Sequence, residues 1–538
     1  MKKLSILLLG IFSTFFLTAQ TPGTLYHLFG DNGIVLTDYD EVGNYSYASA
    51  LQDNMKIVLG GITLYTGASG TVENIMVTRY NSYGSIDMGF ADDGIKVLEY
   101  GGSDDWLTDI AIQPDGKIVG VGHTTSGSKT KMLAFRLNTD GSLDNSFHID
   151  GMAVIDFGEH VNAYGMSLGI CEDGKIVISG YVRDTVLSYS EIAMCKLLPT
   201  GFLDTDFGYF GLATYEEQDL FCFPDELVIH NDRIILGGIF LNADFERFAV
   251  ISGYHLNGEI DYSFGNVGYT SVMLEGDATI MGGAANNGMC VAPDGKILYT
   301  CNQVPGWLEN DMALLRLNPD GGIDYSFGTN GVLVNAMDVN TSANDVITQA
   351  DGKIIVCGTY RSPDPGSYDF LVMRYHENGD LDTDFGSDGT GIVITQVSSE
   401  VQWYGDKSYN LMFCNMDRLL VSGYGRTISG GKDFAMACYN TGLDVGISKH
   451  EASEIDFSVH PNPVVDQVDI SFSLAHSANV EIEIHNVSGT LVSKISDTFY
   501  PEGEHQLRWN CEELPAGMYV TKLTIGDKTY TSKIIKSH

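Results

Sequence analysis

Asp115-Gly116-Lys117-Ile118-Val119 reads as a tight turn running into a β-branched strand. The pattern returns as Asp173-Gly174-Lys175-Ile176-Val177, Asp294-Gly295-Lys296-Ile297-Leu298 and Asp351-Gly352-Lys353-Ile354-Ile355. Weaker copies at 54–58, 231–235 and 416–420 place basic residues at 56, 117, 175, 233, 296, 353 and 418. The period is about 60 residues, the beat of a repeat architecture. A second motif keeps it: Asp204-Thr205-Asp206-Phe207-Gly208 recurs at 261–265, 324–328 and 382–386, with degenerate copies at 29–30, 87–91 and 144–148 and a remnant at 443–444.

Seven units therefore run from about Phe29 to about Gly446. Within one unit, four short strands are expected at 95–98, 107–112, 117–122 and 131–137. In the last, Leu133, Phe135 and Leu137 alternate with Met132, Ala134 and Arg136. Helical periodicity is absent. Four strands repeated seven times predict an all-β fold, a seven-bladed β-propeller, because radial closure covers both faces of each sheet. The alternative is an open solenoid, whose ends need caps that this sequence does not supply.

Of 538 residues, 70 are acidic and 30 basic, a net charge of −40 that excludes duplex nucleic acid as a partner. Residues 20–456 hold 60 acids against 22 bases, whereas 457–538 hold 10 against 6, so the acidity belongs to the repeats. Such a surface favours solubility outside the cell and association with cations, and disfavours anionic membranes and acidic polysaccharides. At the N-terminus, Lys2 and Lys3 precede an apolar run over 4–17 and then Thr18-Ala19, which predicts a secretory signal peptide over 1–19. That run is too short to span a bilayer and no later stretch is apolar enough, so an integral membrane protein is not expected. Nine cysteines without a Cys/His cluster at ligand spacing argue against zinc. Cys290 and Cys301, flanking one hairpin turn, are the candidate disulfide.

The repeats end near Gly446, which predicts a propeller over 20–446, a linker over 447–456 and a second domain over 457–538. Alternating segments at 467–474, 480–486, 490–495, 505–509, 518–525 and 530–535 predict a compact immunoglobulin-like β-sandwich there.

Two resemblances follow from these residues. The Asp-Gly-Lys turn, with Arg316-Leu317-Asn318-Pro319-Asp320-Gly321 and the Asp324 to Gly328 close, resembles the delta-60 repeat family; this implies a propeller-like scaffold and no defined activity. Pro461-Asn462-Pro463, Ile484 to Gly489, Leu514-Pro515-Ala516-Gly517-Met518-Tyr519 and Lys533-Ile534-Ile535 resemble the type A sorting domain of type IX secretion. His485-Asn486 stand where an Asp is common in that family. The resemblance implies handling by an outer-membrane export machine, then release or attachment at the cell surface, in Bacteroidetes-like bacteria. An ordinary adhesive sandwich is the alternative.

A residue present in every unit belongs to the scaffold. The turn Lys and Arg residues are expected on solvated hairpins. Arg79, Arg136, Lys196, Arg316 and Arg374 each lie eight residues before Asp87, Asp144, Asp204, Asp324 and Asp382, and are expected to pair with them to fix blade register. Segments 138–144 and 318–324 resemble the start of a calcium loop but lack its terminal Glu, so calcium is a candidate cofactor beside a simpler turn reading. Eight residues before each turn base lie Ala48, Asp109, Ser167, Asp225, Gly288, Asp345 and Asn410, a ring expected to line the central channel. Asp109, Asp225 and Asp345 are candidate ligand-binding residues there, against hydrogen bonding between inner strands as the simpler role.

Trp106, Trp307 and Trp403, with irregular inserts at 215–226, 303–310, 361–368 and 397–409, break the repeat and are candidates for contact with a glycan or a surface protein. No Ser/His/Asp order, GxSxG, HExxH, P-loop or dinucleotide fingerprint occurs, so no catalytic residue is assigned. The sequence thus predicts an exported, non-catalytic binding or adhesion scaffold. The alternatives are a polysaccharide-active hydrolase or lyase using the channel acids, and a structural surface-layer component.

Overall fold

The computed structural model describes residues 21–40, 43–67, 70–101, 104–185, 189–215, 221–242, 244, 246–274, 287–306, 309–335, 337, 339–362, 367–398, 405–415, 418–426, 431–442, 457–460, 464, 466–474, 477–486, 491–501, 503–512, 514–515, 517–525 and 528–536. The expected signal peptide lies outside them. No helix among the described residues is long and apolar enough to cross a membrane. The chain divides into two compact units, 1–443 and 444–538.

In the first unit the strands group into four-stranded antiparallel sheets. Blade 1 is Asn44–Leu51, Ile57–Gly67, Gly70–Tyr80 and Ile95–Leu98, and blade 2 is Asp105–Ile112, Ile118–Ser126, Lys129–Leu137 and Met152–Ile155. Blades 3 to 6 follow over 161–215, 221–274, 289–335 and 341–395, with blades 3 and 4 bridged by the single parallel pair Ser190↔Phe221. The seventh takes Lys407–Asn415, Arg418–Arg426 and Lys432–Asn440 from the end of the repeats, and its outer strand, Ile34–Thr37, from their beginning. The first strands of successive blades are neighbours, and that of the seventh adjoins that of the first. An open solenoid has neither feature.

The strand at 95–98 is therefore the outer strand of blade 1, pairing Ile75 to Thr78, and not the first strand of the sheet containing 107–137. Sequence units and blades are out of phase by one strand. The terminal strand Ile34–Thr37 fills the resulting gap.

Each apolar core lies between two blades. Val119, Val121, Met132 and Phe147 of blade 2 pack with Ala163, Ile176, Ile178 and Cys195 of blade 3, and equivalent clusters fill the other interfaces, including one joining Ile57 and Leu59 to Leu420, Phe434 and Met436. The repeated Phe of each unit is the common element: Phe29, Phe90, Phe147, Phe207, Phe264, Phe327 and Phe385 are all fully buried. Cys301 points into the core between blades 4 and 5, whereas Cys290 packs against that between 5 and 6. They occupy opposite faces of one sheet, and all nine cysteines are free thiols, so the candidate disulfide is not formed.

A polar clamp ties neighbouring blades together. Arg136 Nε donates to Asp144 Oδ2 at 2.7 Å, its Nη1 donates to the Pro199 carbonyl of blade 3 at 2.6 Å, and its guanidinium lies 4.8 Å over Phe147. Arg79, Arg316 and Arg374 repeat this with Asp87, Asp324 and Asp382 and with the carbonyls of Thr139, Glu377 and Thr441. Lys196 departs from the expected pairing. Its Nζ donates to the Leu256 carbonyl at 2.8 Å, and Asp204 is held instead by Lys175 at 3.0 Å. The turn lysines are partly exposed and also ion-paired: Lys56, Lys117 and Lys353 lie 2.9–3.0 Å from Asp87, Asp144 and Asp382. Their turn meets the Asp loop at one end of the blade, and each carboxylate collects two cations.

The second unit holds two sheets around one core. Phe457–His460, Gln467–Leu474 and Gly503–Asn510 form one, and Leu491–Tyr500, Ala478–Asn486, Gly517–Ile525 and Lys528–Lys536 the other. Val468, Ile470 and Phe472 face Val480, Ile482, Ile484 and Leu523 between them. Tyr519 is buried there and its hydroxyl donates to the Pro515 carbonyl at 2.9 Å. Lys533 pairs Val520 in the last strand pair. Gly517 opens the strand before it. Pro461, Asn462, Pro463 and Gly489 lie outside the described residues.

Candidate binding site at the channel mouth

The inner strand of most blades carries a β-bulge. Register shifts fall at 46/48, 107/109, 165/167, 224/226, 343/345 and 408/410. A bulge turns successive side chains toward the axis and presses the inner-strand carbonyl onto the second strand. Only glycine fits beneath it: a Cβ on Gly122 would stand 1.8 Å from the Trp106 carbonyl oxygen, and one on Gly180 1.8 Å from that of Tyr164.

The bulge residues and their successors enclose a cavity of about 190 Å³, lined among others by Tyr47, Thr108, Asp109, Asp225, Glu226, Asn344, Asp345 and Tyr409. All three sequence-predicted carboxylates meet there, joined by Glu226, which the spacing rule missed. Asp225 is the extra residue of its bulge, and Glu226 pairs Gly237 as Asp109 pairs Val121. The hairpin at Asn231-Asp232, with both residues at positive φ, is one residue shorter than the Asp-Gly-Lys turns, which shifts the count.

Asp109, Asp225 and Asp345 reach the following blade, and Glu226 the preceding one. Asp109 Oδ2 accepts from the Leu168 amide at 2.8 Å and Ser167 Oγ at 3.0 Å, and Asp345 Oδ2 from the Leu411 amide at 2.7 Å. Asp225 Oδ2 accepts from Asn287 Nδ2 at 2.7 Å and the Tyr299 hydroxyl at 2.9 Å. Glu226 Oε1 lies 3.2 Å from the same Ser167 Oγ, whose one proton serves both carboxyls in turn. Burial pushes Asp225 and Asp345 up to about 7. Asp109 is also raised by burial, and Glu226 well above the usual carboxylate range by burial together with the charges of Asp109 and Asp345. Among the described residues no group of three or more His, Cys, Asp or Glu is disposed to hold a metal ion. At the turns, Asp140 Oδ1 is taken by the Ser142 amide and hydroxyl at 2.9 and 2.6 Å.

Two residues before each bulge residue, on the same inner strands, stand Tyr45, Trp106, Tyr164, Phe223, Ser342 and Lys407. Since the residues two positions further on line the cavity, these mark one end of the channel. There the aromatics form a continuous arc. Trp106 stacks on Tyr47 at 5.7 Å and His123 at 5.8 Å; His123 meets Tyr164 at 5.0 Å; Tyr164 stacks on Tyr181 at 4.7 Å, and Tyr181 meets Phe223 at 5.7 Å. In the other direction Tyr47 touches Tyr45 and Tyr409, and Tyr45 meets Tyr424 edge-on at 5.1 Å. Nine rings cross five blades. All but the buried Tyr424 are partly buried. Trp106 Nε1 donates to Glu73 Oε2, and burial lowers His123 to about 4, leaving it neutral.

Trp106 is thus at the site. Trp307 and Trp403 lie outside the described residues, as do parts of all four inserts. Sequence reasoning missed the tyrosines, because each is a common strand residue; Tyr45 and Tyr164 stand two before a bulge, Tyr47 and Tyr409 at one, and Tyr181 and Tyr424 on second strands, positions that only the bulge register reveals.

Residues 458–537 match the secretion system C-terminal sorting domain, and 113–147, 171–207, 292–327 and 349–385 match the domain of unknown function DUF5122 β-propeller. No curated protein matches the chain. Among solved structures it is similar to PorZ, an essential surface component of the type-IX secretion system of Porphyromonas gingivalis, at 12% identity over 91% of this chain and 59% of that one, with a TM-score of 0.39. A protein of unknown function from Dyadobacter fermentans aligns at 10% identity over 76% of this chain and 98% of that one, TM-score 0.39. The β-propeller domain of a Pyrococcus furiosus protease aligns at 11% over 75% and 94%, TM-score 0.37. These likenesses concern the fold alone.

Proposed function

We propose that this type IX cargo, a DUF5122 β-propeller carrying a secretion system C-terminal sorting domain, works at the outer cell surface as a non-catalytic binding module that engages its ligand through the aromatic arc. The observation that carries this is the arc itself. Partly buried rings in unbroken contact from Tyr45 to Phe223 make a rigid aromatic frame, where binding costs little ordering. Glycans, whose apolar ring faces stack on such surfaces, are the ligand class it suits.

The competing reading is a polysaccharide-active enzyme, and the specific observation favouring it is the pair Asp225 and Asp345, both pushed to about 7, where a general acid operates. Against it, Asp109 and Asp345 use both oxygens on backbone amides. The cavity, at about 190 Å³, is also below the roughly 300 Å³ of ordinary ligand sites.

The test is to titrate the mature full-length protein with a panel of neutral and acidic oligosaccharides while assaying sugar release. Saturable binding without release, weakened in Trp106→Ala, supports the module. Release that is lost in Asp345→Asn would establish the enzyme, and self-association without any ligand would establish a surface-layer role.

A further inference from the structure

Lys407 and Lys432 set the end of the arc apart. Lys407 occupies the inner-strand column filled elsewhere by Tyr45, Trp106, Tyr164 and Phe223. Its Nζ lies 5.5 Å from the Tyr368 ring, while Lys432 Nζ lies 4.9 and 4.4 Å from the Tyr45 and Tyr424 rings. Arg426 faces Lys432 across the strand pair. Among the described residues neither lysine has a carboxylate within 4.0 Å, in a propeller whose turn lysines 56, 117, 175, 296 and 353 are all ion-paired.

Two half-buried ammonium groups without a counter-ion are unusual where acids outnumber bases 70 to 30. Burial lowers the pKa of both, and Lys407 and Arg426 lower that of Lys432 further, to about 8. An anion seated between them would relieve both the repulsion and the lost hydration. The rings around them require that it arrive on a body with flat apolar faces.

Resting on the binding role proposed above, we infer that this end of the arc is a subsite for a carboxylated saccharide, with the uronate carboxylate held by Lys407 and Lys432 and the sugar faces stacked along Tyr45, Tyr47 and Trp106. The acidity of the whole propeller disfavours long polyanions, whereas Lys407, Arg426 and Lys432 gather at this end of the arc with Glu73 further along at Trp106, so short acidic oligomers or chain ends are the fitting ligands.

The experiment is calorimetric titration of the mature full-length protein with trigalacturonate, with a neutral trisaccharide, and with inorganic phosphate and sulfate. Trigalacturonate should bind best, and Lys407→Gln/Lys432→Gln should weaken it by about tenfold or more without lowering the melting temperature. Lys129→Gln/Lys131→Gln, which removes cations already paired with Asp156, should leave it unchanged. Equal binding of the neutral trimer, unaffected by the double variant, would overturn the acidic subsite while leaving the binding module intact. Phosphate or sulfate binding as tightly as trigalacturonate would overturn the saccharide assignment. Absence of binding by every saccharide would overturn both.

Discussion

At the scale of single residues, the clamp between blades is where stability is concentrated. Arg136 satisfies Asp144, reaches the Pro199 carbonyl and covers Phe147, so truncating it strips one cation from a buried carboxylate and orphans a carbonyl in the next blade. Arg136→Ala should cost about 3 kcal/mol or more, read as a shifted denaturation midpoint, and Arg136→Lys should recover only part of it because Lys lacks the fork. The channel acids act in the opposite sense with pH. Asp225 and Asp345, raised to about 7, hold protons in the native chain that the unfolded chain releases near pH 4, as do Asp369 and Asp433 on the third strands of blades 6 and 7, raised to about 6. Their contribution is full below that range and is lost as pH rises toward 7. Despite burial, Asp87 and Asp382 are held low by their Lys and Arg partners and Asp324 by hydrogen bonds from Ser326 with Arg316 and Lys296, so they contribute above the ordinary carboxylate range and lose it on acidification. The melting temperature should therefore rise from about pH 7.5 to about pH 5 and fall again below about pH 4; a monotonic rise with pH would mean that the channel acids are ionised in the folded chain.

At the scale of elements, the bulge and the glycine beneath it form one device. Gly122→Ala would set a Cβ 1.8 Å from the Trp106 carbonyl, so it should destabilise by about 2–4 kcal/mol and weaken ligand binding through displacement of Trp106. Gly89→Ala is the control: its backbone is not in the left-handed region and the added carbon would meet nothing closer than Asp87 Oδ1 at 3.5 Å. Much at this scale was legible in the sequence: the alternation of Leu133, Phe135 and Leu137, the Asp-Gly turns, and the Arg–Asp spacing of eight all appear as read. The strand phase was not, because nothing local to Ile95–Leu98 says whether it pairs forward or back; the partner is chosen by the inter-blade core it completes. Glu226 was hidden for a plainer reason, a turn shortened by one residue. The ion pairs of the turn lysines were missed because a lysine beside an exposed Asp-Gly turn reads as solvated until the next loop is seen to fold over it.

At the scale of the whole molecule, the parts divide labour. The N-terminal strand Ile34–Thr37 closes the ring against Phe434 to Ala437, and the inter-blade cores give no blade a core of its own. The C-terminal unit supplies the address. Removing residues 457–538 should leave the propeller folded and exported across the inner membrane but retained in the periplasm, as fractionation would report; normal surface delivery of the truncated chain would contradict the sorting role. What the sequence could not reveal was the binding face. Tyr47, Tyr164 and Tyr409 are far apart along the chain and ordinary in their strands, and only the ring of blades brings them to one mouth with Tyr45, Lys407 and Lys432.

The measurement that bears most directly on this account is Trp fluorescence and calorimetric titration of the mature protein and its Trp106→Ala variant against oligosaccharides, with product analysis of the same samples. Saturable binding, weakened in the variant and leaving the saccharide uncut, is the predicted result. Cleavage of the saccharide, or binding indifferent to Trp106, would contradict a non-catalytic module built on the aromatic arc.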